Sequence, residues 1–176
     1  MYESLVQSTV TAPIQDMISD VINKDSGKPD EGQPRPLVLS LKPCYATAIL
    51  DGTKTVELRR QRIAAPCGTT IILYSSAPVM AVVGTATLAG SDTDTASRIW
   101  QRYGYGLSLS RKEYDSYLIG ASSATVLLIG DPTPLDDPHP LKFLREQTGF
   151  RPPQSYRYLH ANDPEVLHFM ASRIPA

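Results

Sequence analysis

The apolar segments of this sequence are short β-rich runs that do not alternate regularly with helical segments. Residues 37–41 form the first run, and Lys42-Pro43 ends it. Further runs lie at residues 70–74, 79–88 and 124–129. A doubly wound parallel sheet requires strands and helices in regular alternation. The sequence therefore favours an α+β fold, namely a mixed or antiparallel β-barrel of about five short strands with peripheral helices.

The most informative segment combines a helix with a strand of alternating polarity. Residues 44–51 follow a helical pattern, and Gly52 stands where a glycine after the last turn would end that helix. From Thr55 to Arg60 apolar residues occupy one face of the predicted strand, and Glu57 and Arg59 occupy the other. This alternation predicts a half-buried strand with a charged outer face.

The second half of the chain carries clear start and stop signals. Ser110 and Glu113 form a capping box, which predicts a helix beginning there. Proline-rich residues 131–140 are expected to end the strand at 124–129, and a short helix over 141–147 follows. An extended segment over 155–159 precedes a closing helix, for which Asp163-Pro164-Glu165 provide the N-cap and first turn.

Residues 1–36 are predicted to lie outside the main domain. Apolar residues recur at helical spacing between Ile14 and Ile22, which predicts an amphipathic helix. Residues 23–36 are rich in Asp, Gly, Lys and Pro and are typical of a linker. The predicted organisation is a helix and linker over 1–36 and one domain over 37–176. The Ile14–Ile22 helix would pack on the domain, self-associate or bind a partner protein.

The charge balance restricts the nucleic acids that this chain could bind. Its formal net charge is −1, whereas proteins that coat nucleic acid by electrostatics alone are strongly basic. Any RNA binding must therefore come from a local patch. The basic residues do form two groups in the sequence: Lys54, Arg59, Arg60 and Arg62 in one, and Lys142, Arg145, Arg151 and Arg157 in the other.

The remaining composition predicts a cytoplasmic protein without a cofactor. The longest apolar runs are too short to span a membrane, so no membrane partner is expected, and the N-terminal residues do not resemble a secretory signal. Two cysteines provide no disulfide framework. The three histidines lack a compact ligand spacing, so no metal site is predicted.

Five blocks in a fixed order resemble the signature of the ASCH family. They are residues 39–43, 49–60, 72–78, 82–84 and 152–159, which together span most of the chain from Leu37 to Leu159. The resemblance implies a PUA-like barrel, a fold that binds RNA. Members are described as RNA-binding or translation-linked regulators, although fold alone does not determine function.

The resemblance places a nucleotide site around Lys54, Glu57 and Arg59. Lysine provides a point charge for phosphate, arginine a planar fork for phosphate or a base edge, and glutamate an acceptor for an exocyclic amine. Tyr74 and Tyr156 are expected to stack on a base. The complete predicted binding set is Lys42, Lys54, Glu57, Arg59, Arg60, Tyr74, Ser75, Ser76, Gln154 and Tyr156. A Glu–Arg pair on one strand face can equally be a simple ion pair.

The enzymes that share the fold give a first alternative, a hydrolase using the same cleft. Amidohydrolases acting on N4-acetylcytidine use a lysine and a threonine three residues later, but here Glu57 stands three residues after Lys54. The covalent threonine mechanism is therefore not expected. Lys54 and Glu57 remain the candidate catalytic pair for a hydrolase or a ribonuclease.

Three hypotheses thus remain open. The first is an RNA-, nucleotide- or modified-nucleoside-binding module, and the second is a hydrolytic enzyme. The third is a protein-interaction adaptor that acts through the Ile14–Ile22 helix.

Overall fold

The computed structural model describes residues 34–172, which form six strands and five α-helices. The strands are β1 (Leu37–Leu41), β2 (Val56–Arg59), β3 (Thr70–Ser75), β4 (Ala81–Asp94), β5 (Ala124–Pro140) and β6 (Tyr156–Tyr158). The helices are α1 (Pro43–Leu50), α2 (Ala96–Tyr103), α3 (Arg111–Tyr117), α4 (Leu141–Thr148) and α5 (Glu165–Ser172). A 3-10 turn, Gly104–Gly106, follows α2. The helix predicted over Ile14–Ile22 lies outside the described residues.

The strands form one mixed sheet in the order β2-β5-β4-β3-β1-β6, which curls into a half-barrel. Only the β1–β3 pair is parallel, and the other four pairs are antiparallel. The α+β, PUA-like fold expected from the sequence is confirmed. The sheet has six strands rather than about five, and β4 and β5 are long, at 14 and 17 residues.

The proline-rich segment continues a strand instead of ending it, and this corrects the expectation for residues 131–140. β5 pairs with β4 as far as Pro140, with register shifts that absorb irregular residues. Its other edge pairs with β2 only between Thr125 and Leu128. Beyond that point, within residues 34–172, the second edge has no strand partner, so a proline whose nitrogen faces that edge removes no ladder hydrogen bond.

Three buried clusters cover both faces of the sheet. Ile71 and Leu73 of β3 pack in a cluster with Ile49 of α1, whereas Ile72 and Tyr74 pack in a second cluster with residues of α4 and α5. The third cluster joins β2 and β5 to α2 and α3. Because both faces of β3 are covered, the apolar residues Ile71, Ile72 and Leu73 follow one another without alternating with polar residues.

Strand β2 is buried along its whole length, which corrects the half-buried strand expected from its sequence. Val56 and Leu58 pack beneath α2 and α3. Glu57 and Arg59 on the opposite face are each only 6% exposed. Charged side chains at this depth require partners, and these two residues pair with each other.

Strand β6 contacts both the beginning of the described region and the segment that leads into α5. Arg35 donates to the Leu159 carbonyl and stacks on Tyr158, and the Pro36 carbonyl accepts from the Leu159 amide. Arg157 forms a bidentate ion pair with Asp163 at 2.6 and 2.7 Å, which ties β6 to the start of α5.

None of the helices within residues 34–172 has the length and hydrophobicity needed to cross a bilayer.

Candidate functional site

A cleft of about 810 Å³ opens where β1, β2, α1 and α3 converge. Its volume lies within the range of pockets that bind small molecules or single nucleotides. The lining residues are Ser40, Leu41, Lys42, Tyr45, Lys54, Glu57, Leu58, Arg59, Ser76, Leu109, Lys112, Glu113, Ser116, Tyr117, Gln154 and Ser155. These residues come from five separate stretches of the chain, so the site exists only in the folded protein.

The floor of the cleft is a buried ion triad. One Glu57 carboxylate oxygen lies 3.3 Å from Lys54 Nζ, and the other lies 3.0 Å from Arg59 Nη2. The Lys54 side chain is 1% exposed, and the side chains of Glu57 and Arg59 are each 8% exposed. Two cations and one carboxylate leave this floor with a net positive charge, fixed in place by the surrounding packing.

Lys54 is positioned by close backbone packing on two sides. Its amide donates to the Ala48 carbonyl at 2.8 Å, which follows from the sharp turn that Gly52 makes at a φ of +79°. Its ammonium donates to the Leu107 carbonyl at 2.6 Å. A β-carbon at Gly106 would lie 2.7 Å from Val56 Cγ2, so only glycine lets this turn approach β2 closely enough to present that carbonyl.

Arg59 bridges the two edges of the open sheet. From β2 at one edge, its Nη1 donates to the Ser155 hydroxyl at 3.0 Å, immediately before β6 at the other edge. Its Nη2 donates to the Ser40 carbonyl of β1 at 3.2 Å. The buried Nε has no hydrogen-bond partner within residues 34–172. The guanidinium therefore supports the half-barrel as well as the cleft.

The rim of the cleft is exposed, basic and aromatic. Lys42 precedes α1, and Lys112 lies in the first turn of α3; both are exposed. Tyr45 is half-buried, and its ring centroid lies 5.2 Å from Lys54 Nζ. Tyr117 is 43% exposed. The lining as a whole contains four cations and two carboxylates, although the chain has a formal net charge of −1.

Burial shifts the pKa values of Lys54 on the floor and of the neighbouring Tyr45. Burial lowers the pKa of Lys54 below its ordinary 10.5, and the Glu57 carboxylate only partly opposes this effect. Burial also raises the pKa of the Tyr45 phenol above 10.0, and electrostatic interactions with Cys44, Glu113 and Glu57 act in the same direction. The Tyr45 phenol is therefore protonated at neutral pH.

Six of the ten residues predicted from the sequence line the cleft: Lys42, Lys54, Glu57, Arg59, Ser76 and Gln154. Four lie elsewhere. Tyr74 is buried in the cluster beneath α4 and α5, and Ser75 is also buried. Tyr156 packs against the cluster around α1, and Arg60 points outward to donate to the Ile119 carbonyl at 2.9 Å.

Neither of the two tyrosines expected to stack on a base lines the cleft. Tyr74 follows Ile72 on the face of β3 that α4 and α5 cover, so its ring is inaccessible. The cleft offers Tyr45 and Tyr117 in their place. Tyr45 is a half-buried residue of α1 and Tyr117 an exposed residue at the end of α3, and no local sequence signal distinguishes either of them as a site residue.

The two basic groups seen in the sequence do not form one rim. Lys54 and Arg59 lie on the floor of the cleft, whereas Arg60 and Arg62 are exposed outside it. No member of the second group lines the cleft. Among residues 34–172, no three His, Cys, Asp or Glu side chains come together in a metal-binding arrangement.

Comparison with known proteins identifies relatives of this chain. It is 35% identical over 138 residues to the "ASCH domain-containing ribonuclease" of Zymomonas mobilis, covering 78% of this chain and 93% of that protein. The crystal structure of ASCH from Zymomonas mobilis superposes with a TM-score of 0.71 at 34% identity, covering 80% of this chain and 99% of the other. Large ribosomal subunit protein uL22 of Ureaplasma parvum is 23% identical over 145 residues, which is 46% of its length. No family model matches the chain.

The buried triad predicts unequal costs for removing its members. Glu57→Gln leaves the ammonium of Lys54 and the guanidinium of Arg59 buried without a carboxylate, so we expect a loss of about 3 kcal/mol in the free energy of unfolding. Lys54→Met leaves the Glu57–Arg59 pair intact and should cost about half as much. Urea unfolding of both variants measures this difference. An equal or smaller cost for Glu57→Gln would contradict the assignment of Glu57 as the shared partner.

Proposed function

This chain belongs to the ASCH-domain family, and we propose that its cleft binds RNA through an unpaired nucleotide. One observation carries the proposal: four cations and two carboxylates line a single cleft in a chain whose formal net charge is −1. A local excess of positive charge is what a nucleic-acid site requires when the whole surface is not basic. The name of the Zymomonas mobilis relative, a ribonuclease, supports RNA as the ligand.

The shape of the cleft favours an unpaired nucleotide over a duplex. A volume of about 810 Å³ accommodates one nucleotide but not a helix of paired strands. Unpaired bases can also be placed against aromatic rings, and Tyr117 is exposed at the rim for this purpose. Tyr45 lies deeper, where a base or sugar would contact it.

The floor and the rim would act on the ligand in different ways. The Nη groups of Arg59 face acceptors on Ser155, Ser40 and Glu57. The ammonium group of Lys54 faces the Leu107 carbonyl and the Glu57 carboxylate. The floor therefore contributes mainly a fixed positive field. Direct contacts with phosphate fall to Lys42 and Lys112, whose exposed side chains can reach it.

Removing the two rim lysines tests RNA binding without disturbing the buried triad. We expect Lys42→Gln/Lys112→Gln to bind a labelled unpaired hexaribonucleotide about tenfold more weakly at low salt. Loss of two phosphate contacts should also reduce the slope of log affinity against log salt by about 1.4, at about 0.7 for each contact. Fluorescence anisotropy at several salt concentrations measures both quantities.

Arg98→Gln/Arg102→Gln is the matched control, because it removes two exposed cations that do not line the cleft. It should bind within twofold of the wild type. Equal weakening by the two double variants would show that binding follows total charge and would contradict a site in the cleft.

A second function, RNA cleavage, is supported by the ribonuclease relative at 35% identity. In this mechanism Glu57 would accept the proton of a ribose 2′-hydroxyl as its oxygen attacks the adjacent phosphorus. The P–O5′ bond breaks, and the protonated Tyr45 phenol would donate its proton to the departing 5′-oxygen. Lys54 and Arg59 would stabilise the additional negative charge on the phosphorane. The products are a 2′,3′-cyclic phosphate and a 5′-hydroxyl.

The amidohydrolase mechanism that depends on a threonine nucleophile has no support in the geometry. The residue three positions after Lys54 is Glu57, which has no hydroxyl group to act as the nucleophile. Thr55 does not line the cleft, and its hydroxyl lies beside Gly106.

Tyr45→Phe separates cleavage from binding. If the phenol is the general acid, we expect the cleavage rate to fall about a hundredfold while affinity for the hexaribonucleotide stays within twofold. Gel analysis of end-labelled RNA measures the rate, and Tyr105→Phe, which alters an 87% exposed tyrosine, is the matched control. Intact RNA with wild-type protein would leave a binding module only. Unchanged cleavage by Tyr45→Phe would exclude the phenol as the acid.

A further inference from the structure

We propose that a second cavity, of about 540 Å³, binds the nucleotides that flank the one in the cleft, so that the ligand is an RNA strand and not a free nucleoside. This inference rests on the proposed RNA binding and specifies its substrate class. The cavity is lined by Pro78, Val79, Met80, Pro140, Leu141, Lys142, Arg145 and Glu146.

The two cavities lie on the two sides of one tight turn. Ser76 lines the cleft, and its carbonyl accepts hydrogen bonds from the amides of Val79 at 3.1 Å and Met80 at 3.2 Å. Val79 and Met80 line the second cavity. A strand leaving the cleft past Ser76 therefore needs to cross only this turn to reach the second cavity.

The far wall of the second cavity is suited to phosphate. Lys142 and Arg145 are exposed and three residues apart, so they are neighbours on the surface of α4, while Leu141 and Leu144 on the adjoining face anchor the helix in the core. Within residues 34–172 neither cation has a salt-bridge partner, and Glu146 is the single carboxylate in the lining. Both basic side chains are thus available to a polyanion.

The near wall offers apolar surface to a base. Val79 is 48% exposed and Met80 is 41% exposed, although both are large apolar residues. Met80 also has a φ of +51°, a left-handed backbone conformation that residues other than glycine rarely adopt. Its carbonyl is held by the Leu141 amide at 2.7 Å, which fixes the turn against α4. Two exposed apolar residues side by side, one of them held in a left-handed conformation, are more typical of a binding surface than of a passive loop.

Oligonucleotide length provides the test. Full-length protein is titrated with uridine monophosphate and with oligouridylates of three and six nucleotides, and the integrity of each RNA is checked on gels. We expect affinity to rise at least tenfold from the monophosphate to the hexamer. Lys142→Gln/Arg145→Gln should remove most of that gain while leaving affinity for the monophosphate within twofold.

Arg98→Gln/Arg102→Gln is again the charge-matched control and should keep the full gain with length. A gain with length that Lys142→Gln/Arg145→Gln leaves unchanged would overturn the second subsite while leaving RNA binding in the cleft intact. Equal affinity for monophosphate and hexamer would overturn it as well. Absence of binding to every RNA would instead refute the proposed function itself.

Discussion

A carboxylate shared between two buried cations holds this half-barrel and its cleft together. Glu57 is the single acid between Lys54 and Arg59 on the floor, and each of its oxygens faces one cation. Burying an unpaired cation would cost several kcal/mol, so each of these charges depends on the others. Their burial in turn depends on the turn at Gly106 and on the residues around Ser155, which lie far apart in the sequence.

The same triad accounts for the position of the cleft. An open sheet leaves two edges, and in this fold the guanidinium of Arg59 connects the β2 edge to the segment that begins β6. The cleft lies over this connection, where side chains from both edges and from α1 and α3 converge. The floor is rigid because most of its donors already have acceptors in the protein, whereas the exposed lysines of the rim can adapt to a ligand. The buried floor thus provides a preorganised positive electrostatic field, and the rim lysines provide contacts that can adjust to the ligand.

The sequence was informative wherever the pattern depended on local structure. The alternation in Thr55 to Arg60 correctly placed Glu57 and Arg59 on one strand face, and the capping box at Ser110 and Glu113 correctly marked the start of α3. What alternation cannot reveal is whether the polar face is covered. β2 is fully buried because distant residues pack over it, and this information is not present in a six-residue window.

The differences between the structure and the expectations from the sequence have the same physical origin. Tyr74 was expected in the cleft, but it lies in the core because β3 is covered on both faces. The prolines of residues 131–140 are expected to end a strand, yet β5 continues through them, because in the described part of the chain one of its edges has no strand partner there. Tyr45, Tyr117 and Ser155 went unnoticed because only the tertiary fold brings them to Lys54 and Arg59.

Photo-cross-linking is the most direct test of the central claim that RNA occupies this cleft. A short oligonucleotide containing 4-thiouridine would be irradiated with the protein, and the modified peptides identified by mass spectrometry. Adducts at Tyr45 or Tyr117, suppressed by excess unlabelled RNA, are the predicted result. Adducts confined to surfaces outside the cleft, such as the exposed faces of α2 or α5, would contradict it.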